Sequence, residues 1–302
     1  MIEAFIAQLL RISMPYALAA TGGAFSERGG VINIALEGII LSSAFGAVWG
    51  TLSFGSPWWG IVCGVVAGVI IAGIHALVCV WGRADQILSG LALNLLALGA
   101  TRGLLKVFYN SASNSPRIGG IDLWEPLGFA PAGPLGTLIR QPLFVFSVLA
   151  IVLAHGLLFH TGFGLSLRAA GDGPRALDGA GLSVARLRVQ GVLLSGVFGG
   201  LAGAWLALEQ HSFTDGMSNG RGYIALAAMI VGKWRPANAS LACLLFGAAE
   251  ALQIRVTGDH IPTQLLQALP YLITLVVLAG WIGRAESPQK LGEPYDREGG
   301  RS

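Results

Sequence analysis

The chain has 302 residues, of which 54% are apolar and only 12% charged, with 44 glycines and a formal net charge of +3. A soluble domain carries about 25% charged residues, and here the apolar residues gather in runs of roughly 20, the length that crosses a bilayer as a helix. Composition therefore excludes an ordinary soluble enzyme, the absence of a basic stripe excludes a nucleic-acid surface, and the class is an all-α, polytopic transmembrane bundle.

The apolar runs predict spans near 4–25, 33–54, 58–81, 87–108, 142–161, 188–208, 221–233, 237–256 and 265–283, about nine in all with the run at 221–233 short. The N-terminus leads into the first of these with no basic n-region and no small-residue cleavage site, so it reads as a retained span. Residues 1–283 form the transmembrane domain. Residues 284–302 are charged and aperiodic, and are expected to be a disordered cytoplasmic tail.

After the first span, Gly29 and Gly30 precede Asn33 and Glu37, with Gly38 following. Glycine weakens helix continuity by about 1 kcal/mol relative to Ala, so an interruption is expected here. A helical register would put Asn33 and Glu37 on one face. A carboxylate inside lipid costs roughly 2.5–3.5 kcal/mol even on insertion scales, so Glu37 must face protein or water, either in a transport pathway or against Arg28 or nearby backbone. In the fourth span Gln86, Ser89 and Asn94 make a second polar face, and Arg102 there and Glu250 later are charges that need partners. Cys63, Cys79 and Cys243 lie in apolar runs without metal-ligand spacing. His155 and His160 are five apart, off one helical face, so no metal pair is predicted. Residues 109–141, with Trp124, read as an irregular external connection.

The polar stretch Gly162 to Arg188 carries Arg168, Arg175, Arg186 and Arg188. It is too polar for lipid, and its arginines place it in the cytoplasm. It reads as one or two short helices, broken at Gly171-Asp172-Gly173, with Pro174 at a first helical position and Asp172 as its cap. This orientation puts the N-terminus outside and the C-terminus inside. It also leaves Arg28, Arg83, Lys233, Arg235 and Arg284 cytoplasmic, as the charge rule requires. The segments 30–38 and 222–232, the latter containing Tyr223, echo one another and start from opposite faces, the mark of inverted repeats with interrupted helices around a central site. Nucleotide fingerprints fail: the GxGxxA letters from Gly171 follow no strand, and Gly232-Lys233 lacks the rest of a phosphate loop.

The stretches SERGGVINIALEGIIL, DQILSGLALNLLALG, GLSLRAAGDGPRALDGAGLSVARLRVQGVLLSGVFGGLAGAWLAL and GRGYIALAAMIVGKWRP occur in this order. Together they resemble the permease subunits of ABC importers for nucleosides and simple sugars, within the ribose and branched-chain amino-acid permease superfamily. The resemblance implies an inner-membrane subunit with no cofactor of its own. Its implied partners are a second related permease, a tandem-domain ATPase, an external basic-membrane-protein-type lipoprotein, membrane lipid and a small-molecule cargo. It makes Arg168, Gly171, Asp172, Arg175 and Asp178 the coupling residues against the ATPase. Leu177, Asp178 and Gly179 depart from the small residues usual there. The expected pathway residues are Asn33, Glu37, Ser89, Asn94 and Tyr223.

Overall fold

The computed structural model describes residues 2–121, 133–256 and 287–296, together with Leu272. These residues contain the helices α1 (Ile2–Arg28), α2 (Leu36–Phe54), α3 (Pro57–Ala76, continued by a π-helical turn Leu77–Trp81) and α4 (Gln86–Tyr109). Then follow α5 (Gly133–Arg140), α6 (Pro142–His160), α7 (Gly162–Asp172), α8 (Pro174–Gly179), α9 (Val184–Gln210), α10 (Arg221–Val231) and α11 (Pro236–Val256). Extended pairing among the described residues is one bridge, Asn114 to Thr214.

Seven of these helices are long and apolar enough to cross a membrane: α1, α2, α3 with its π turn, α4, α6, α9 and α11. The expected count of about nine is thus not reached among the described residues. Residues 221–233 contain the 11-residue α10, which at 1.5 Å per residue is roughly half of a ~30 Å hydrocarbon layer. The span expected at 265–283 lies outside the described residues.

Local signals explain where the helices begin. Ser56 precedes Pro57 at the start of α3, a residue whose missing N–H costs nothing in the first turn. Asp85 caps α4 by accepting from Leu88 N–H at 2.8 Å. Thr161 accepts from Gly164 N–H at 3.1 Å at α7, and Ser183 from Arg186 N–H at 3.4 Å at α9.

Helix α9 forms the centre, with 78% of its apolar window enclosed against 22% for α4. α4 therefore turns most of its surface outward, to lipid or a neighbouring subunit. Small residues let the central backbones meet: a Cβ on Gly68 would lie 2.6 Å from Gly196 O, and one on Gly200 would lie 2.7 Å from Val65 Cα. Close backbone approach of this kind supplies the dispersion that holds helices together in lipid. Phe25 stacks on Phe198 at 5.7 Å, and Phe45 meets Phe213 edge-on at 5.4 Å.

The two ends of the bundle differ. At one, Ser115 N–H donates to Phe213 O at 2.9 Å, and Glu3 accepts from Leu135 N–H at 3.3 Å. The connection expected to be irregular thus contains α5, while Trp124 lies outside the described residues. At the other end lie α7, α8, the π turn, the α10–α11 junction and residues 287–296. Within the tail expected at 284–302, these ten described residues make specific hydrogen bonds with α7, α9 and the α1–α2 turn.

Candidate functional site

The chain leaves α1 at Arg28 and re-enters a helix only at Leu36. Gly30 makes the turn at φ +93, a left-handed conformation that an L side chain resists. Backbone groups in the stretch that follows are buried, and such groups need partners. Val31 N–H donates to Ser26 O at 3.1 Å, and Ser26 Oγ returns a bond to Val31 O at 2.8 Å. Ile32 N–H donates to Gln86 Oε1 at 2.7 Å, while Ile32 O lies 2.9 Å from His75 Nε2. Nε2 must then carry the ring proton, which leaves Nδ1 to accept from Ser89 Oγ at 3.0 Å. Asn33 N–H bonds the Glu27 carboxylate. Asn94 closes the stretch, donating to Ile34 O at 3.0 Å and accepting from Gly38 N–H at 2.8 Å.

A second interruption meets the first. α9 ends at Gln210, and the chain resumes helix only at Arg221. The first turn of α10 is held by Glu37, whose Oε1 accepts from Gly220 N–H at 2.8 Å and Oε2 from Gly222 N–H at 2.7 Å. A carboxylate here meets both the orphan amides and the positive end of the helix dipole. Past the other end of α10, Lys233 and Trp234 both take left-handed backbone at φ 56 and 54. Arg28 fixes that turn by donating to Lys233 O at 2.9 Å and Trp234 O at 3.3 Å, and Trp234 Nε1 donates to Glu27 Oε2 at 2.6 Å. Glu37 and Glu27 therefore grip α10 at its two ends, from either side of the break at 29–35.

All five expected pathway residues come to this junction, but not in the expected way. Asn33 is fully buried and precedes α2, so it does not share a helical face with Glu37. Its Nδ2 donates to Ser195 Oγ at 2.6 Å, and its Oδ1 is buried with no partner. Ser89 and Asn94 are half-buried. Tyr223 is 44% exposed and its hydroxyl lies 3.0 Å from Asn94 Nδ2, so the Tyr223 and Asn94 pair is what the junction presents at the surface. Sequence reasoning missed Glu27, His75 and Ser195 as members. The available signal was His75, an ionisable residue inside the apolar run at 58–81, which by default marks a site; Glu27 lies just past the run at 4–25, beside Arg28.

The two charges expected to need partners, Arg102 and Glu250, both have them. Arg102 meets Asp215 at 2.6 Å, and Glu250 meets Arg221 at 3.3 Å and also accepts from Tyr16 Oη.

Of the one or two short helices expected in the stretch Gly162 to Arg188, two form, α7 and α8, ahead of the start of α9. Asp172 does not cap α8, whose preceding residue is Gly173; it ends α7 and accepts from Gln289 N–H at 3.3 Å. Arg168 lies over the Phe159 ring at 5.0 Å and bonds Gly164 O at 3.3 Å. Arg175 and Ala176 are exposed on α8, whereas Pro174 and Leu177 are buried beneath it. Asp178 lines a groove together with Trp81 and Tyr295. Gly171 packs directly on the Arg28 carbonyl, where a Cβ would overlap it, so this surface helix abuts the start of the break.

Lipid-length helices, two of them meeting at interruptions lined by polar side chains, with a surface helix pair set against one interruption, define a multi-pass membrane transport protein. The chain belongs to the branched-chain amino acid transport system / permease component family, whose model matches residues 5–278. It is 39% identical over 295 residues to the guanosine ABC transporter permease protein NupQ of Bacillus subtilis (strain 168), covering 93% of this chain and 92% of that one. It is 39% identical over 315 residues to the nucleoside ABC transporter permease protein NupC of Lactococcus lactis subsp. cremoris (strain MG1363), covering 97% of each. Among solved structures, an inward-facing metal-chelate type ABC transporter matches with a TM-score of 0.51 and 16% identity over 90% of this chain and 84% of that one, which shows a shared fold.

Proposed function

We propose that this chain is one permease subunit of an ATP-driven importer of nucleosides in a bacterial cytoplasmic membrane, forming half of the pathway beside a second, related permease. The observation that carries the reading is the near full-length identity to two permeases named for guanosine and nucleoside transport. A separate tandem-domain ATPase supplies the energy, and an external lipoprotein delivers the cargo. The N-terminus lies outside and the C-terminus in the cytoplasm, which puts α7 and α8 where the ATPase can grip them. In this reading the segments 30–38 and 222–232 are inverted repeats whose interruptions meet where Glu37 holds the first turn of α10.

The pathway runs along the outward surface of α4 and α10, where a second subunit closes over Asn94 and Tyr223. Asn94 spends both amide hydrogens on Ile34 O and Tyr223 Oη, so the pair offers a neutral, hydroxyl-rich cargo the Tyr223 hydroxyl proton and the second lone pair of Asn94 Oδ1, without trapping it as a charge would. Glu37 acts behind them. Its oxygens are occupied by α10 amides, so it sets the position of Tyr223 rather than touching cargo. Asn33 and Ser89 position the break through Ser195 and His75. Arg168, Gly171, Asp172, Arg175 and Asp178 belong to the coupling surface, with the Asp172 and Arg175 side chains exposed on it. Movement imposed on α7 reaches the break through Gly171 against the Arg28 carbonyl.

The test is substrate competition in a strain that expresses the complete importer and lacks other nucleoside uptake. Unlabelled guanosine or uridine should suppress uptake of labelled guanosine while ribose and glucose do not. Suppression by ribose alone would move the chain to the simple-sugar importers.

A further inference from the structure

Residues 287–296 touch each part that this reading requires to move, and no step so far uses them. Pro288 is buried, Leu291 packs at the edge of the main core, and Tyr295 joins Ala170, Leu177 and Val184 in the small apolar cluster beneath α7 and α8. The backbone bonds are as directed as the packing. Gln289 N–H donates to Asp172 Oδ1 at 3.3 Å and Lys290 N–H to Gly171 O at 2.8 Å. Two residues on, Gly292 N–H donates to Gly30 O at 3.1 Å. At Gly292 a Cβ would lie 2.9 Å from Ile32 Cδ1, with φ at +83, so the segment is fitted against the break itself.

Arg188, 3% exposed at the start of α9, ties the same parts from beneath. Its Nη1 donates to Glu293 O at 2.7 Å and its Nη2 to Ala170 O at 3.4 Å. At the far end Arg83, between α3 and α4, forks onto Asp296 at 2.7 and 3.1 Å. Four residues, 289–292, therefore bond the end of α7 on one side and the turn before α2 on the other. So short a span has little slack, and displacement of one partner is passed to the other.

We propose that residues 287–296 are a clasp that, alongside the direct contact of Gly171 with the Arg28 carbonyl, transmits movement of α7 and α8 to the break at 29–35, so that ATPase-driven displacement reaches the α2 and α10 junction through the C-terminal segment as well. The inference rests on the reading of α7 and α8 as the ATPase contact. It assigns this segment a positioning role in transport rather than the anchoring of a chain end. Energetic coupling between two sites needs an element that both bias, and the clasp is bonded to each.

The complete importer, with its second permease and ATPase, is reconstituted in proteoliposomes in three forms: wild type, chain ended after Glu286, and Gly292→Val. Assembly, ATP hydrolysis and cargo moved per ATP are measured, and Ala176→Cys, exposed on α8, is tested for crosslinking to the ATPase in each form. The clasp predicts assembly and hydrolysis within about twofold of wild type, a retained crosslink, and cargo per ATP reduced about tenfold, within the usual range of intersite coupling factors. Normal cargo per ATP in an assembled, crosslinking truncation overturns the clasp and leaves the ATPase contact standing. No crosslink in the otherwise wild-type chain overturns both. If the truncated chain does not assemble, Gly292→Val decides: it disturbs the left-handed turn at 292 and its fit to Ile32 while keeping the rest of the segment, and a normal ratio there overturns the clasp.

Discussion

Replacing Glu37 by Gln tests whether its carboxylate acts on α10 or on cargo. In the native chain Oε1 and Oε2 each accept one backbone N–H, from Gly220 and Gly222, at 2.8 and 2.7 Å. Glutamine keeps the size but offers one acceptor, and its NH2 group is forced against the second amide. Hydrogen bonds to a charged group contribute about 1.5–3 kcal/mol each, and a charge at a partly buried helix N-terminus adds about 0.3–2 kcal/mol. The substitution loses one such bond, the charge, and the solvation of one amide, so the positioned form of α10 should weaken by about 2–4 kcal/mol. At 1.4 kcal/mol per tenfold, that is roughly 30-fold or more in its population relative to displaced forms. Initial uptake rates for guanosine, adenosine and uridine in proteoliposomes, with thermal stability of the purified complex, measure the effect. All three nucleosides should lose uptake by a common factor and the complex should melt earlier. A change in preference among nucleosides with unchanged stability would place Glu37 on the cargo and refute the reasoning.

Three further outcomes follow from the same geometry. Asn94→Leu strands Gly38 N–H and Ile34 O, each at about 1–3 kcal/mol, and should lower thermal stability as well as uptake; a stable but inactive variant would instead show that only its contact with cargo matters. Gly171→Ala places a methyl group against the Arg28 carbonyl and should reduce cargo moved per ATP with the complex assembled; unchanged uptake would show that α7 does not act through that contact. A cysteine at Ser113 should react with an impermeant maleimide added outside intact cells, and one at Ser183 only after permeabilisation. The reverse pattern would invert the orientation.

The existence of the break was legible at Gly29 and Gly30, and that of the coupling helices at Gly171, Gly173 and Pro174. The internal arrangement of the break was not. A helical period carried through Val31 to Ala35 put Asn33 on the face of Glu37, whereas that stretch is held open by His75, Gln86 and Asn94. Those partners lie on other helices, and one chain carries no signal for which distant side chain meets which carbonyl. Glu37 was legible as a lone carboxylate in an apolar run, but its role depends on the first turn of α10, which only the fold brings alongside. The order of residues 287–296 was not legible for a related reason. Absence of periodicity excludes a regular helix or strand, but residues 287–296 satisfy their backbone on Gly171, Gly30 and Arg188 instead. Residues 221–233 read as a span by apolarity, yet Lys233 and Trp234 turn the chain after 11 helical residues. That turn is held by Arg28 and Glu27, from the far end of the chain.

The central claim is that the chain moves nucleosides by ATP hydrolysis on a partner, and the energy source tests it most directly. Proteoliposomes holding both permeases and the ATPase, supplied with the loaded lipoprotein on the outside, are assayed for guanosine entry with ATP enclosed, with ATP and vanadate enclosed, and with a protonophore added. Entry that requires ATP, stops with vanadate and persists with the protonophore is the predicted result; entry that proceeds without ATP and collapses with the proton gradient would contradict it.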